Sequence, residues 1–172
     1  MSISTYIQAN TTSVDFLINA LAEMSQENYD FIAKPAFQSS IGAHYRHIIE
    51  HYQCFFLQFD VDEVINYDAR QRNIKIETDI EFALQQLRLI HNRLTGFRCD
   101  DKREILIADD HCDYQMRSSL SRELMFLIGH TEHHSAMIAA MLRMSGCGVD
   151  EQFGVANATI NHQHSIVTER SA

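Results

Sequence analysis

Between Ser121 and Met144 the chain reads SRELMFLIGHTEHHSAMIAAMLRM, with no proline and a single glycine, Gly129. Leu124, Leu127, Ile128, Met137, Ile138 and Met141 recur at helical spacing, so the stretch is expected to form one long helix with a continuous apolar stripe. His130 and His134 fall on the same stripe. Four residues apart, they stand one above the other with Cβ atoms roughly 6 Å apart, and two imidazoles at that separation can share one metal ion. Such a pair also occurs on helices that bind no metal, with one ring bonded to a carbonyl and the other exposed. A third ligand from elsewhere in the chain decides between the two. His133 lies on an outer face.

A helix with one apolar stripe needs partners, and the rest of the chain supplies them. Its 172 residues hold one proline and six glycines, and 45% are apolar. That length and composition suit one helical domain with its own core, and disfavour an all-β fold. Ile7, Val14, Phe16, Leu17, Ala20, Leu21 and Met24 mark a first helix from about Ile3 to Met24. SQENYDFIAKPAFQSS then reads as a connection, with Ser39 or Ser40 capping a second helix over about Ile41 to Phe59.

The second helix carries the other half of the histidine signal. Its inward stripe is Ile41, Ile48, Tyr52, Phe55 and Phe59, and beside it lie His44, His47 and His51, within about 60° of one another on a helical wheel. A solvated face would use Lys and Glu, and a core face Leu, so three imidazoles on one face ask for a ligand. Spacing alone does not say which of the three would bind it. The whole chain has 10 histidines, the most informative number in its composition.

Residues 60–77 form a long polar connection containing NYDARQRN. It reads either as an exposed loop tied by Asp68 to Arg70 or Arg72, or as a substrate anchor at the bundle mouth through Tyr67, Asp68 and Arg70. Thr78 and Glu81 suggest a capping box for a third helix, which Ile80, Ala83, Leu84, Leu87, Ile90, His91 and Leu94 carry to about Gly96. The stretch CDDKREILIADDHCDYQMRSS is too long for a structureless loop inside a domain. A small hairpin is expected there, Glu104–Ala108 pairing with Asp113 or Tyr114 to Arg117, with Asp110 and His111 in a solvated turn. The last helix starts near Ser119 to Ser121 and ends at Ser145-Gly146. Phe153 and Val155 are positioned to fold back over the bundle, and His162 and His164 lie in a polar tail. The expected architecture is therefore all-α, a four-helix bundle with a small β-hairpin between the third and fourth helices. Residues 1–160 make a single domain and residues 161–172 a polar tail.

Charge and cysteine usage narrow the function. A net charge of −9 without clustered Lys or Arg excludes a nucleic-acid groove and an anionic membrane surface. No apolar run reaches the roughly 20 residues of a membrane span, and MSISTYIQAN lacks the regions of a signal peptide, so a cytoplasmic protein is expected. Cys54, Cys99, Cys112 and Cys147 are scattered without CxxC spacing, which fits reduced thiols. In four-helix bundles metal sites are built from side chains on facing helices. If the second and fourth helices are neighbours, three neutral His leave an open coordination position, the arrangement of a catalytic site.

At these residues the chain resembles a known family, the DinB and YfiT-like bundles of metal-dependent enzymes. SIGAHYRHIIEHY, NYDARQRN with ETD after it, SSLSRELMFLIGHTEHH and FGVANATI carry the resemblance, in the family's order over most of residues 39–160. It implies a triad of one His from the second helix and the His-x3-His pair of the fourth, here His47, His130 and His134, with His51 beside the metal or facing substrate. Asn157 stands where the closest relatives are expected to have proline.

By the same resemblance a divalent transition metal, zinc, nickel or iron, would bind a low-molecular-weight thiol as thiolate and present it to a small-molecule electrophile. Glu50, His51 or Tyr52 would assist proton removal. The same site would serve a hydrolase that activates water. Glu132 lies about 160° from His134 on the wheel and points away, so no dedicated base stands near the pair, and this favours thiol chemistry. A non-catalytic, metal-stabilised binding protein would instead close the site with a fourth protein ligand, His51 or His44. Neutral imidazole is needed for ligation, so affinity is expected to fall below about pH 6.5. The Met-rich outer face of the fourth helix suggests a homodimer.

Overall fold

The computed structural model describes residues 2–61, 64–99, 103–111, 114–156, 159, 160 and 162. Four long helices make the bundle: α1 (Ile3–Ala22), α3 (Ile41–Asp60), α5 (Ile80–Thr95) and α6 (Leu120–Met144). Two short helices, α2 (Gln26–Tyr29) and α4 (Ile74–Thr78), lie in the connections before and after α3. Both are too short for a periodic pattern to reveal. α1 packs on α5 and α6, and α3 packs on the same two, so α3 and α6 are neighbours along their length.

Side chains set where the long helices begin. Ser40 accepts the Ala43 N–H at 3.0 Å and Ser119 accepts the Arg122 N–H at 3.3 Å. These contacts satisfy donors that the first turn leaves open, each contributing about 1 kcal/mol. At α5 the expected capping box is displaced by one residue: Asp79 accepts the Phe82 N–H at 2.9 Å, whereas the Thr78 hydroxyl donates back to the Ile74 carbonyl inside α4. Asp is at least as good a cap as Thr, and here it sits in the right register.

The expected hairpin is present, with its second strand shifted. β1 (Glu104–Ile107) pairs antiparallel with β2 (Met116–Ser119), Glu104 opposite Ser119 and Ile107 opposite Met116. Tyr114, expected in that strand, is exposed before it, and Asp113 lies outside the described residues. The shift lets Ser119 end the strand and cap α6 at once. The far edge of β1 is covered by Ile65, whose N–H donates to the Leu106 carbonyl at 2.9 Å and whose carbonyl accepts the Ala108 N–H at 3.0 Å. The 60–77 connection is therefore anchored through a buried Ile65, as well as being polar.

Apolar burial closes the bundle. On α3, Ile41, Ile48, Tyr52 and Phe55 are fully buried, and each fully buried large side chain stabilises by roughly 1.5–3 kcal/mol. Gly42 lets α4 approach α3: a Cβ there would run into the Glu77 carbonyl oxygen and sit 2.7 Å from the Tyr29 ring. Beyond α6, Phe153 folds back and is buried, next to Gly154 at φ +79, which lies against the Ser135 carbonyl. Asn157 and His164 lie outside the described residues. No helix among the described residues is long and apolar enough to cross a membrane.

A buried polar chain ties three of the helices together. The Tyr52 hydroxyl donates to Asn10 Oδ1 at 2.7 Å and accepts from Thr131 Oγ1 at 3.2 Å, while Asn10 Nδ2 donates to the Tyr6 and Leu124 carbonyls. Replacing Tyr52 by Phe leaves Asn10 Oδ1 buried without a donor, a loss on the order of 1–3 kcal/mol. Urea unfolding of Tyr52→Phe is expected to show that loss at an unchanged slope; an unchanged midpoint would contradict the network's role.

Candidate metal centre

α3 and α6 supply imidazoles to one space between them. Ligand nitrogens of His47, His130 and His134 all lie within 4.8 Å of one another. Ring centroids are 4.8 Å apart for His47 and His130, 4.6 Å for His47 and His134, and 4.6 Å for His130 and His134. All three are half-buried. Helical spacing puts the α6 pair on one side, and the packing of α3 along α6 brings His47 against both.

Two further imidazoles border the three. The His51 ring lies 4.0 Å from that of His130 and 4.4 Å from that of His47. Its Nδ1–H donates to the His47 carbonyl at 2.7 Å, so Nε2 keeps its lone pair. His44 Nδ1 is 3.0 Å from His134 Nδ1. Neither joins the group of three in which each residue offers one mutually close ligand atom. His133 is exposed, as its outer-face position requires.

The electrostatics keep these rings neutral. Burial first, then repulsion from neighbouring imidazoles, lowers His47 to about 3, His130 to about 2 and His134 to about 4. His44 and His51 are lowered by burial as well. Neutral imidazole is the form that ligates a transition metal, and His130 Nε2 is buried without any hydrogen-bond partner. An unpartnered lone pair among three converging rings fits a divalent ion.

The other candidate residues are placed as follows. Tyr52 is committed to Asn10 and Thr131, and burial pushes its hydroxyl above its ordinary range. Glu50 is buried with Oε1 accepting the Asn73 N–H and Oε2 facing Arg46 and Arg70 at 3.9 and 3.8 Å. Both are thus engaged away from the histidine cluster; of the three only His51 stands among the clustered rings. Arg70 pairs with Glu50 and the Tyr67 carbonyl, and Asp68 Oδ2 accepts the Asp110 N–H at 3.3 Å, in place of the expected Asp68–Arg contact.

Tyr67 reaches the centre through its ring, stacked on His51 at 5.5 Å and 17°, while its hydroxyl donates to Glu123 Oε2 at 3.0 Å. Glu123 is buried and also accepts from the Ser118 hydroxyl. It carried no sequence signal, since an acid in the first turn of a helix is ordinary. Phe126, stacked on His130 and tilted against Tyr67, read only as one more apolar residue. Glu132 lies on the other flank of α6, lining a depression with Ser13, Phe16 and Phe153.

A four-helix bundle with a three-histidine centre where two of its helices meet is the class of protein that fold and cluster define. The DinB family profile matches residues 1–158, and the chain belongs to the DinB family. Among solved structures it is similar to YfiT from Bacillus subtilis, described as a probable metal-dependent hydrolase with an unusual four-helix bundle topology. That similarity has a TM-score of 0.67 at 18% identity, over 86% of this chain and 91% of YfiT. A curated relative, FK506-binding protein 5 of Rhizopus delemar, is 33% identical over 105 residues, 58% of this chain. The chain spans only 27% of that protein's length.

The lowered pKa values set a pH dependence. Histidines titrate near 6.5 in an unfolded chain, so between about pH 6.5 and 4 the unfolded state binds protons that the folded state refuses. Stability of the metal-free protein is expected to fall as pH falls through that window. Thermal midpoints at pH 7, 6, 5 and 4.5 should decline steadily in the metal-free chain and less in a His47→Asn, His130→Asn double variant. Midpoints independent of pH would contradict the burial of neutral rings.

Proposed function

We propose that His47, His130 and His134 hold one divalent transition-metal ion, of the zinc, nickel or iron kind, and that the centre activates water for hydrolysis of a small electrophilic substrate. Bound there, such an ion lowers the pKa of the nucleophile it carries. The single observation that carries the reading is the meeting of three neutral imidazoles from two helices, beside an unpartnered buried nitrogen on His130. His51, one of the three residues weighed from the sequence for proton removal, suits the role, since its Nδ1–H is engaged on the His47 carbonyl and Nε2 keeps its lone pair. Tyr67 holds that ring by stacking, with its own hydroxyl fixed on Glu123. The description of YfiT as a probable metal-dependent hydrolase supports the same chemistry.

A second reading follows from the environment of His51. Burial lowers its basicity, and a thiol, with a pKa near 8.5, yields its proton to a weaker base than water does. In that case a low-molecular-weight thiol replaces water: its S–H proton passes to His51, and its sulfur forms a bond to the electrophilic carbon as that carbon's leaving group departs, joining the whole thiol to the electrophile. A purely structural metal is the remaining reading, and it requires a fourth protein ligand.

His134→Ala is expected to lose most of the metal found by elemental analysis of protein purified without added metal, and with it all turnover. Stoichiometric metal in that variant would exclude the site. His51→Phe should keep the metal and lose about 10²–10⁴-fold in rate. Activated esters assayed with and without an added thiol separate the readings: turnover without thiol supports hydrolysis, turnover only with thiol and an alkylating electrophile supports transfer, and a full metal complement with neither supports the structural role.

A further inference from the structure

The Nδ1 atoms of His44 and His134 are 3.0 Å apart, with the two rings tilted at 43°. In a neutral pair one of these atoms must carry the proton and the other accept it. Only one placement leaves His134 with a free Nε2: the proton on His134 Nδ1, donated to His44. With the proton on His44 instead, His134 is protonated at Nε2 and lost as a ligand through that atom. The ring of His44 is itself fixed, half-buried on α3 with its edge to Phe37 at 6.2 Å and 85°.

We infer that His44 is a positioning residue for the metal centre: it accepts the Nδ1–H of His134, holding that ring in the tautomer and orientation that present Nε2 to the ion. It is not a fourth ligand. Its Nδ1 is engaged on His134 itself, and it stands outside the group of three mutually close ligand atoms. Metal-binding histidines generally donate their second ring nitrogen to a carboxylate, a carbonyl or water, and removal of that partner typically weakens the metal 10–100-fold. Here another imidazole fills the place, at the cost of leaving its own Nε2 buried without a hydrogen-bond partner. The arrangement also accounts for the crowding of three His on one face of α3. His47 ligates, His51 stands beside the nucleophile, and His44 orients a ligand on the facing helix.

The inference rests on the three-histidine metal reading, and the test separates the two. Zinc affinity is measured by competition with a chromogenic chelator for the 172-residue chain, His44→Phe and His44→Asp. Phe keeps the packing on Phe37 and removes the acceptor; a carboxylate oxygen of Asp falls near the place of Nδ1 and can only accept. The expected result is one zinc per chain in all three proteins at saturation, a Kd raised 10–100-fold in His44→Phe, and a Kd in His44→Asp within about threefold of the parent or tighter. Thermal unfolding of the metal-free variants checks that each is folded, and should one not fold, His44→Asn, whose amide oxygen can accept, replaces it. An unchanged Kd in His44→Phe, or equal weakening in Phe and Asp, overturns the role. Loss of zinc stoichiometry in His44→Asp would make His44 a ligand, which also overturns it. No zinc binding by the parent chain would sink the metal reading itself.

Discussion

Five imidazole rings, those of His44, His47, His51, His130 and His134, are packed between α3 and α6, and among the described residues no carboxylate hydrogen-bonds to any of them. Protonating any one places a cation among half-buried rings, so burial and mutual repulsion hold the ligand set neutral. Neutral rings in turn leave lone pairs to be satisfied. One of those is met across the His44–His134 contact, while the His51 Nδ1–H donates to the His47 carbonyl. His130 Nε2 is left buried with no hydrogen-bond partner among the three converging rings, and a divalent cation is a partner that suits it.

The remainder of the bundle serves that constraint by fixing how α3 lies on α6. Behind the centre, Tyr52 of α3 bonds to Asn10 of α1 and Thr131 of α6, one residue from His130. A slip of either helix breaks this chain of contacts. On the outer side of α3, Arg46 bridges Glu50 and Glu77 while Arg70 faces the same Glu50, so α4 and the 66–73 loop are held against α3 electrostatically. The loop then delivers Tyr67 onto His51. Its second anchor, Glu123, sits at the beginning of α6 and accepts from both Tyr67 and Ser118, joining loop, hairpin and helix at one buried carboxylate.

Periodicity made the four long helices legible to within a few residues, because each buries one stripe and three of them, α3, α5 and α6, have a capping side chain at the start. The α6 pair was legible for the same reason, since spacing on a helix is geometry. Its partner on α3 was not: His44, His47 and His51 share a face, and only the axial offset of α3 along α6 separates a ligand from its neighbours. That offset depends on packing distributed over the core and has no local signature. The roles of Glu50 and Tyr52 were hidden in the same way, because a polar residue beside a His cluster reads alike whether it turns to the centre or away from it. Residues 60–77 looked polar and exposed; their buried apolar anchors, Ile65 and Ile76, are too far apart to give a period to detect.

The account stands or falls on whether imidazoles from both helices meet at one ion with a place left open. X-ray absorption at the metal edge of the zinc-loaded chain tests this directly. Three imidazole nitrogens at about 2.0–2.1 Å with one further ligand that is not a protein imidazole is the predicted shell. A shell with fewer than three imidazoles, or one closed by four, would contradict it.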